Sequence, residues 1–360
     1  MKKILTIVGA RPQFIKASVV SKAIVEREDL AEVIVHTGQH FDTNMSDIFF
    51  EQLSIPRPHY QLDIHGGQHG QMTGRMLIEI ERVLLSERPD CVVVYGDTNS
   101  TLAGALAASK LHIPIAHVEA GLRSFNMKMP EEINRILTDR ISHVLFCPTQ
   151  TAVNNLHQEA YPYVVANDKQ QRVELVGDVM QDSAELFAQR ATKPQNLDLA
   201  DNFILSTIHR AENTDNAERL RNILNALNEV AQHTPIVLPL HPRTRKIIQD
   251  LELKTEKLTI IDPVGYLEML WLLEHCSLVL TDSGGVQKEA FFMGKACVTL
   301  RDQTEWVELI DAGANELVGA DKTKILTAVT RNLGRQVEDE QNLYGGGLAA
   351  KRIAQVLSDF

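Results

Sequence analysis

The stretch VVVYGDTNSTLAGALAASKLHIPIAHVEAGLRSFNMKMPEEINR, Val92 to Arg135, decides how the rest of the chain is read. Two short β-branched runs, Val92–Val94 and Ile113–Val118, each lead into an acid: Asp97 in the loop after the first, Glu119 beside the turn after the second. A third acid, Glu131, opens the amphipathic segment that follows. Parallel strands of α/β proteins deliver reactive side chains at their carboxyl ends, so Asp97 and Glu119 can face one crevice. Three carboxyl groups converging there supply both a base and an acid. Each acid also has a plain structural reading: Asp97 caps the helix starting near Thr98, Glu131 sits favourably at a helix N-terminus, and Glu119 is loop surface. One acid alone favours the plain reading; three at successive element ends favour chemistry.

At 360 residues the chain exceeds a usual single domain, and two domains of similar size are expected. The composition, 44% hydrophobic and 23% charged, leaves ample apolar material for two cores. The net charge of −11, with no long basic block, argues against nucleic acid and anionic membranes as partners, while local Arg and Lys can still hold an anionic small ligand. Cys91, Cys147, Cys276 and Cys297 are widely spaced and form no C-x-x-C pair, so they read as reduced core residues of a cytoplasmic protein. The opening MKKILTIVGARP begins a strand and shows no signal-peptide pattern, and no apolar run reaches transmembrane length.

Read in order, the first half alternates strand and helix. Ile4–Val8 is an apolar strand followed by Gly9-Ala10-Arg11-Pro12 and a helical run through Val20. Arg11 and Lys16 lie at that turn and in the first helical turns, where they either reach a phosphate at the strand ends or stand as solvated cations. Glu32–His36 is a second strand, Ser46–Leu53 a short helix, and Gln71–Arg88 a helix with a core stripe of Met72, Met76, Leu77, Ile80, Val83 and Leu84. His40, His65 and His69 have no compact metal-site spacing. His143–Cys147 is a strand, Thr149 caps the next helix, Tyr161–Gln171 is polar and irregular, and Val173–Val176 is the strand leaving the first domain.

The second half repeats the architecture without obvious sequence repetition. After a linker-like Pro194–Asn202, strands are expected at Phe203–Thr207, Ile236–Leu240, Leu258–Ile261, Ser277–Thr281 and Ala296–Leu300. Helices are expected at Ala217–Ala231, Tyr266–His275, Val286–Met293, Lys322–Leu333 and, past the Tyr344-Gly345-Gly346-Gly347 joint, Leu348–Leu357. The fold class is therefore α/β, two Rossmann-like doubly wound parallel sheets with an interdomain cleft. The expected boundaries are 1–173, 174–346 and a terminal helix, 347–360, returning to the first domain.

Ser283-Gly284-Gly285 lies between a strand and a helix. Glycine lets the backbone approach an anion closely, and the helix N-terminus offers free N–H groups and partial positive charge. Glu289, one helical turn on, is placed to accept from ribose hydroxyls; otherwise the segment is a tight turn with a solvated Glu. No G-x-G-x-x-G and no G-x-x-x-x-G-K-[ST] occurs, which disfavours nicotinamide-dependent oxidation and P-loop hydrolysis. Two sheet domains with phosphate-reading residues suggest a nucleotide gripped between them.

Together these motifs resemble the non-hydrolysing UDP-N-acetylglucosamine 2-epimerase family over nearly the whole chain. The anchors are GARPQFIK (Gly9–Lys16), GDTNST (Gly96–Thr101), HVEAGLR (His117–Arg123), PEEINR (Pro130–Arg135), His209-Arg210, TDSGG-x-Q-x-E (Thr281–Glu289) and YGGG (Tyr344–Gly347). Each is weak alone; the set in this order is specific. The resemblance implies a GT-B-like fold, a homodimer, no cofactor and no metal. It implies inversion at C2 of a UDP-linked 2-acetamido sugar by elimination of UDP to a glucal and re-addition from the other face. On the matched positions, Asp97, Glu119 and Glu131 form the acid/base set. Arg11 and Lys16, with Ser283, Gly284 and Gly285, neutralise the diphosphate; Glu289 holds the ribose; Arg135 and His209 meet the diphosphate or sugar hydroxyls, with His209 stabilising charge as the C1–O bond breaks. After Arg301-Asp302 the chain reads Gln303-Thr304-Glu305-Trp306-Val307-Glu308, with Trp306 where the UDP-N-acetylglucosamine members usually place Arg. Residues 66–70 read GGQHG, without the Arg some members use in a regulatory second site. Both departures resemble the subgroup acting on UDP-2,3-diacetamido-2,3-dideoxy-glucuronate, which feeds lipopolysaccharide or capsule synthesis. A UDP-sugar glycosyltransferase is the competing expectation from another class.

Overall fold

The computed structural model describes residues 1–39, 56–166, 169–195, 197 and 202–359. His40 and the helix expected over Ser46–Leu53 lie outside the described residues, as does part of the Pro194–Asn202 linker. In chain order the first strands are β1 (Lys2–Val8), β2 (Leu30–His36), β3 (Tyr60–Gln61), β4 (Cys91–Tyr95), β5 (Ile115–Val118), β6 (Val144–Cys147), β7 (Val164–Ala166), β8 (Lys169–Gln170) and β9 (Arg172–Leu175). Seven of them make a sheet ordered β3-β2-β1-β4-β5-β6-β9, parallel throughout, while β7 and β8 pair antiparallel by themselves. β3 opens a short alternation, Tyr60-Gln61-Leu62-Asp63-Ile64, that is not among the expected strands, and the hairpin falls in the segment read as polar and irregular.

The second set is β10 (Ile204–Thr207), β11 (Ile236–Pro239), β12 (Thr259–Ile261), β13 (Leu278–Thr281), β14 (Cys297–Thr299) and β15 (Asn315–Leu317). They form a parallel sheet ordered β12-β11-β10-β13-β14-β15. Both sheets are therefore doubly wound, with strand order reversing once, between β1 and β4 in one and between β10 and β13 in the other. Every residue of β4 is buried, as a central strand covered on both faces requires. The helices supply that cover with one stripe each. His69–Glu87 buries Met76, Ile80, Val83 and Leu84, and Ala217–Val230 buries Leu220, Ile223, Leu224 and Leu227. No helix among the described residues is long and apolar enough to cross a membrane.

The chain divides into two compact units, Met1–Ser183 with Asn342–Phe360, and Ala184–Gln341. The lines expected at 173/174 and 346/347 thus fall within the first unit. The reason is local. β9 completes the first sheet, and the start of the helix Val179–Ala188 is anchored there by Ser183 Oγ donating to the Ile15 carbonyl at 3.0 Å. The terminal helix Ala349–Ser358 also belongs to that unit. Its free N–H groups at Ala349 and Ala350 donate to the Asp182 carboxylate at 3.2 and 2.9 Å, and Arg352 Nη1 donates to the Val176 carbonyl at 2.8 Å. Gly345, Gly346 and Gly347 lead into this helix at φ of 90°, 65° and 70°, three consecutive left-handed residues that no L side chain adopts without strain.

A buried acid lies inside the first unit. Thr6 Oγ1, on β1, donates to Glu32 Oε1, on β2, at 2.5 Å. Burial pushes the Glu32 carboxyl above the usual range, and the hydroxyls of Thr6 and Ser21 offset only part of that. Because the folded chain holds this proton more tightly than the unfolded chain, stability is highest in acid. It falls as pH rises above the ordinary glutamate value and levels off above the folded one. Glu32→Gln is therefore expected to melt at a higher temperature than wild type at pH 7–8, the difference vanishing near about pH 4. A thermal-shift series across pH checks this, and a destabilised variant at neutral pH would refute it.

Candidate active site

In doubly wound sheets, ligands sit beyond the carboxyl ends of the strands where the order reverses. In the first unit that point lies between β1 and β4. The turn after β1 brings Arg11 to the start of the helix Arg11–Val25, and Lys16 follows on its second turn. Gln13 ties this turn to its neighbour: its Oε1 accepts from Gly9 N and Ala10 N at 2.8 and 3.0 Å, and its Nε2 donates to the Tyr95 carbonyl at 2.7 Å.

Asp97 follows β4 and is not spent as a helix cap. Thr98 takes that role, its hydroxyl accepting from Thr101 N at 3.3 Å. The Asp97 carboxylate pairs instead with Arg135 Nη2, from the helix Pro130–Ile141, while Asn134 Nδ2 donates to the Asp97 carbonyl at 2.9 Å. Although 32% of its side-chain surface is open to a ligand, burial pushes the Asp97 carboxyl upward. The Arg135 charge opposes that rise, the Glu119 carboxylate adds to it, and the net shift is upward.

Glu119, after β5, is not loop surface either. Its side chain is 9% exposed and pairs with Lys16 Nζ. Its backbone sits at φ 74°, a left-handed conformation rare for Glu. A Cβ placed on Gly96 would lie 3.3 Å from Glu119 Oε2 and 3.7 Å from Lys16 Nζ, which puts this ion pair beside the Gly96–Asp97 turn. Glu131 lies in the first helical turn, where the dipole favours it, and is exposed. It stands four residues before Arg135, hence on the same helix face, and its side chain has no hydrogen bond or ion pair among the described residues. The structure thus joins Asp97, Glu119, Lys16 and Arg135 by contact, and Glu131 by helical face alone.

Residue-type reasoning missed the layer beneath. Glu132, fully buried, accepts from Ser124 N and Phe125 N at 3.0 and 2.8 Å and from Arg135 Nη1 at 3.1 Å, fixing both the loop and the cation that faces Asp97. Asp139, also fully buried, accepts from His117 Nδ1 and Arg123 Nη1, both at 2.7 Å, and from Gly121 N at 3.2 Å. Burial alone would raise the Asp139 carboxyl; His117 and Arg123 outweigh it and hold the group below the usual range. His117 and Arg123 stand in the HVEAGLR segment, but nothing in that string shows that Asp139 answers them.

In the second unit the strand order reverses between β10 and β13. His209 follows β10 and Asp282 follows β13. The Asp282 carboxylate, fully buried, accepts from His209 N at 3.1 Å, Arg210 N at 3.0 Å and Asn213 Nδ2 at 3.1 Å, and lies 3.1 Å from His209 Nδ1. Burial pushes this carboxyl up, but these donors, His209 first, carry it below the usual range. The His209 ring is half exposed, so Asp282 fixes Nδ1 as the inner nitrogen and turns Nε2 outward. Asp282 was discoverable from sequence by the reasoning used for Asp97, an acid directly after a strand.

Ser283 caps the helix Gly284–Phe292, its Oγ accepting from Val286 N at 3.4 Å. The helix starts two residues before the expected Val286, because both glycines take helical conformation. A Cβ on Gly284 would collide with the Glu305 carboxylate and lie 3.3 Å from Trp306 Nε1, so the close approach of that segment needs glycine. Gly285 is exposed, with nothing nearer its Cβ position than Ser283 Oγ at 4.0 Å. Glu289 is buried one turn further on. Glu305 accepts from Arg301 Nη1 at 2.8 Å, and Trp306 is buried beneath the Lys288 ammonium, 4.1 Å from its ring centroid. No cluster of three or more His, Cys, Asp or Glu among the described residues is placed to hold a metal ion.

Known proteins are similar in sequence and fold. The sequence profile of the UDP-N-acetylglucosamine 2-epimerase family matches residues 22–358. A Pseudomonas aeruginosa protein, UDP-2,3-diacetamido-2,3-dideoxy-D-glucuronate 2-epimerase, is 66% identical over 357 residues, covering 99% of each chain. The crystal structure of Methanocaldococcus jannaschii UDP-GlcNAc 2-epimerase in complex with UDP-GlcNAc and UDP superposes with a TM-score of 0.87 at 45% identity, over 99% of this chain and all of that one. The Neisseria meningitidis UDP-GlcNAc 2-epimerase bound to UDP-GlcNAc superposes at 0.86 with 31% identity, over 99% and 100%. The two parallel-sheet units are those of the GT-B class. With both sheets, both switch-point turns and full-length similarity in agreement, the chain belongs to the UDP-N-acetylglucosamine 2-epimerase family, whose members are isomerases.

Proposed function

We propose that the protein is a non-hydrolysing 2-epimerase that interconverts UDP-2,3-diacetamido-2,3-dideoxy-D-glucuronate and its manno isomer. The observation that carries this reading is the two partly buried ion pairs at adjacent strand ends, Asp97 with Arg135 and Glu119 with Lys16. The 66% identity to the P. aeruginosa enzyme supports the choice of sugar, as does Trp306 in place of Arg. UDP-N-acetylglucosamine is the alternative substrate within the same reaction.

The C2 proton of such a sugar is not next to a carbonyl, so simple deprotonation and return is too costly. Elimination removes that proton while the C1–O bond breaks, leaving a 2-acetamidoglucal and UDP. Re-addition of UDP with protonation of the opposite face gives the epimer. Asp97, its carboxyl pushed upward by burial, holds a proton more readily than an ordinary aspartate and is suited to exchange one with the sugar. Glu119 and Glu131 serve the remaining proton transfers, with Lys16 and Arg135 balancing charge as carboxyls change state. Arg11 and the turn Ser283–Gly285 hold the diphosphate, Glu289 the ribose, and His209 donates from Nε2 toward the departing oxygen. A glycosyltransferase would need the nucleotide grip but not the paired acids. The reading extends to a cytoplasmic homodimer whose product feeds bacterial surface polysaccharide; four buried thiols support a reducing compartment.

Incubation with each UDP-sugar in D₂O, followed by NMR, tests the reaction. Epimerisation puts deuterium at C2 with the UDP linkage retained. Free sugar would mean hydrolysis, and an unchanged substrate would overturn the proposal. Asp97→Asn and Glu131→Gln are each expected to lower kcat by about 10²–10⁴-fold while UDP affinity, read by calorimetry, stays within about threefold. An active double variant would remove both from the chemistry. Gly284→Ala is expected to act in reverse, weakening UDP binding through displacement of Glu305 more than it lowers kcat.

A further inference from the structure

His117, on β5, is fully buried and touches no candidate catalytic carboxylate. Both its ring nitrogens meet oxygen at 2.7 Å: Nδ1 meets Asp139 Oδ1, and Nε2 meets the Gly96 carbonyl. A carbonyl oxygen only accepts, so Nε2 must carry a proton. Asp139 is ionised, because its other oxygen accepts from Arg123 Nη1 at 2.7 Å and Gly121 N at 3.2 Å, so Nδ1 must carry one too. A neutral ring would set a lone pair against an oxygen on one side, at 2.7 Å and fully buried. Charge balances locally. His117 and Arg123 face Asp139, and Arg123 Nε and Nη2 donate to the Glu159 carboxylate at 2.7 and 2.8 Å, two cations for two anions.

The contacts of this ring fall on each element that carries a proposed acid. Gly96 immediately precedes Asp97. Glu119 lies two residues after His117 on the same strand end. Asp139 sits one helical turn after Arg135 and two after Glu131 on the helix Pro130–Ile141. We propose that His117 is a buried imidazolium, protonated on both nitrogens, and that it is the positioning residue locking the Gly96–Asp97 turn to the strand end of Glu119 and the helix of Glu131. The ring holds geometry and exchanges no proton with substrate. The kinetic part of this inference rests on the epimerase reading above; the protonation state does not.

Neutron diffraction from deuterated wild-type crystals reads the ring directly. Deuterium on both Nδ1 and Nε2 is expected, and density on one alone would overturn the proposal whatever the protein catalyses. Wild-type UDP-sugar turnover is measured first, so that failure of the epimerase reading shows separately. Two variants then split the contacts. His117→Gln keeps an amide donor for the Gly96 carbonyl, whereas His117→Asn keeps the bond toward Asp139 and loses Gly96. The Asn variant is expected to lose about 10²-fold in kcat with KM and UDP affinity within about twofold, and the Gln variant to recover at least tenfold of that loss. Equal kcat for the two variants, or a loss confined to KM, would overturn the positioning role. Should neither variant fold, as judged by circular dichroism, the neutron map still decides.

Discussion

A carboxylate taken out of water costs several kcal/mol unless cations or N–H donors replace its hydration. The polar architecture of both units answers that cost. Asp97 has Arg135, Glu119 has Lys16, Asp139 has His117 and Arg123, and Asp282 has two backbone N–H groups, Asn213 and the His209 ring. The balance differs from site to site. At Asp139 and Asp282 the donors outweigh burial and the acids stay ionised; at Asp97 burial wins and the carboxyl is pushed up. The same residue type is thus held charged at two sites and pushed toward its neutral form at a third, by its surroundings alone.

The strand order delivers these groups. Reversal between β1 and β4 and again between β10 and β13 opens a gap at the carboxyl edge of each sheet, and in both units the turns flanking that gap carry the polar cluster. The same wiring serves two purposes. The first unit gathers paired acids and cations around Gly96–Asp97, while the second presents a helix N-terminus, glycines and a histidine aimed by Asp282.

Trp306 is buried beside Gly284 with Lys288 over its ring, at a position where arginine would be expected from the UDP-N-acetylglucosamine members. A rigid aromatic wall thus stands beside the Ser283–Gly285 turn in place of the expected long cation. The 66% identity to the diacetamido-glucuronate enzyme, against 45% to the M. jannaschii one, runs in the same direction.

Much of this was legible in the residues. Apolar runs placed eleven of the main-sheet strands, helical stripes such as Met76-Ile80-Val83 placed the cover, and Gly-Asp, Val-Glu and Asp-Ser-Gly-Gly at strand ends marked the turns where the polar clusters sit. These features are local: periodicity and turn chemistry act over a few residues and survive in a string. β15 and the β7–β8 hairpin were not visible, because elements of two or three residues are defined by pairing with a neighbour strand, whereas the alternation of Tyr60, Leu62 and Ile64 with polar residues at β3 was there to be read. Nor could the string show that Thr98 rather than Asp97 caps its helix, that Lys16 answers Glu119 across 103 positions, or that His117 reaches both Gly96 and Asp139. Which charge meets which is settled by distance in three dimensions, and in a dry interior those distances, more than the residues' intrinsic chemistry, set whether a group is held charged, held neutral or left free to react.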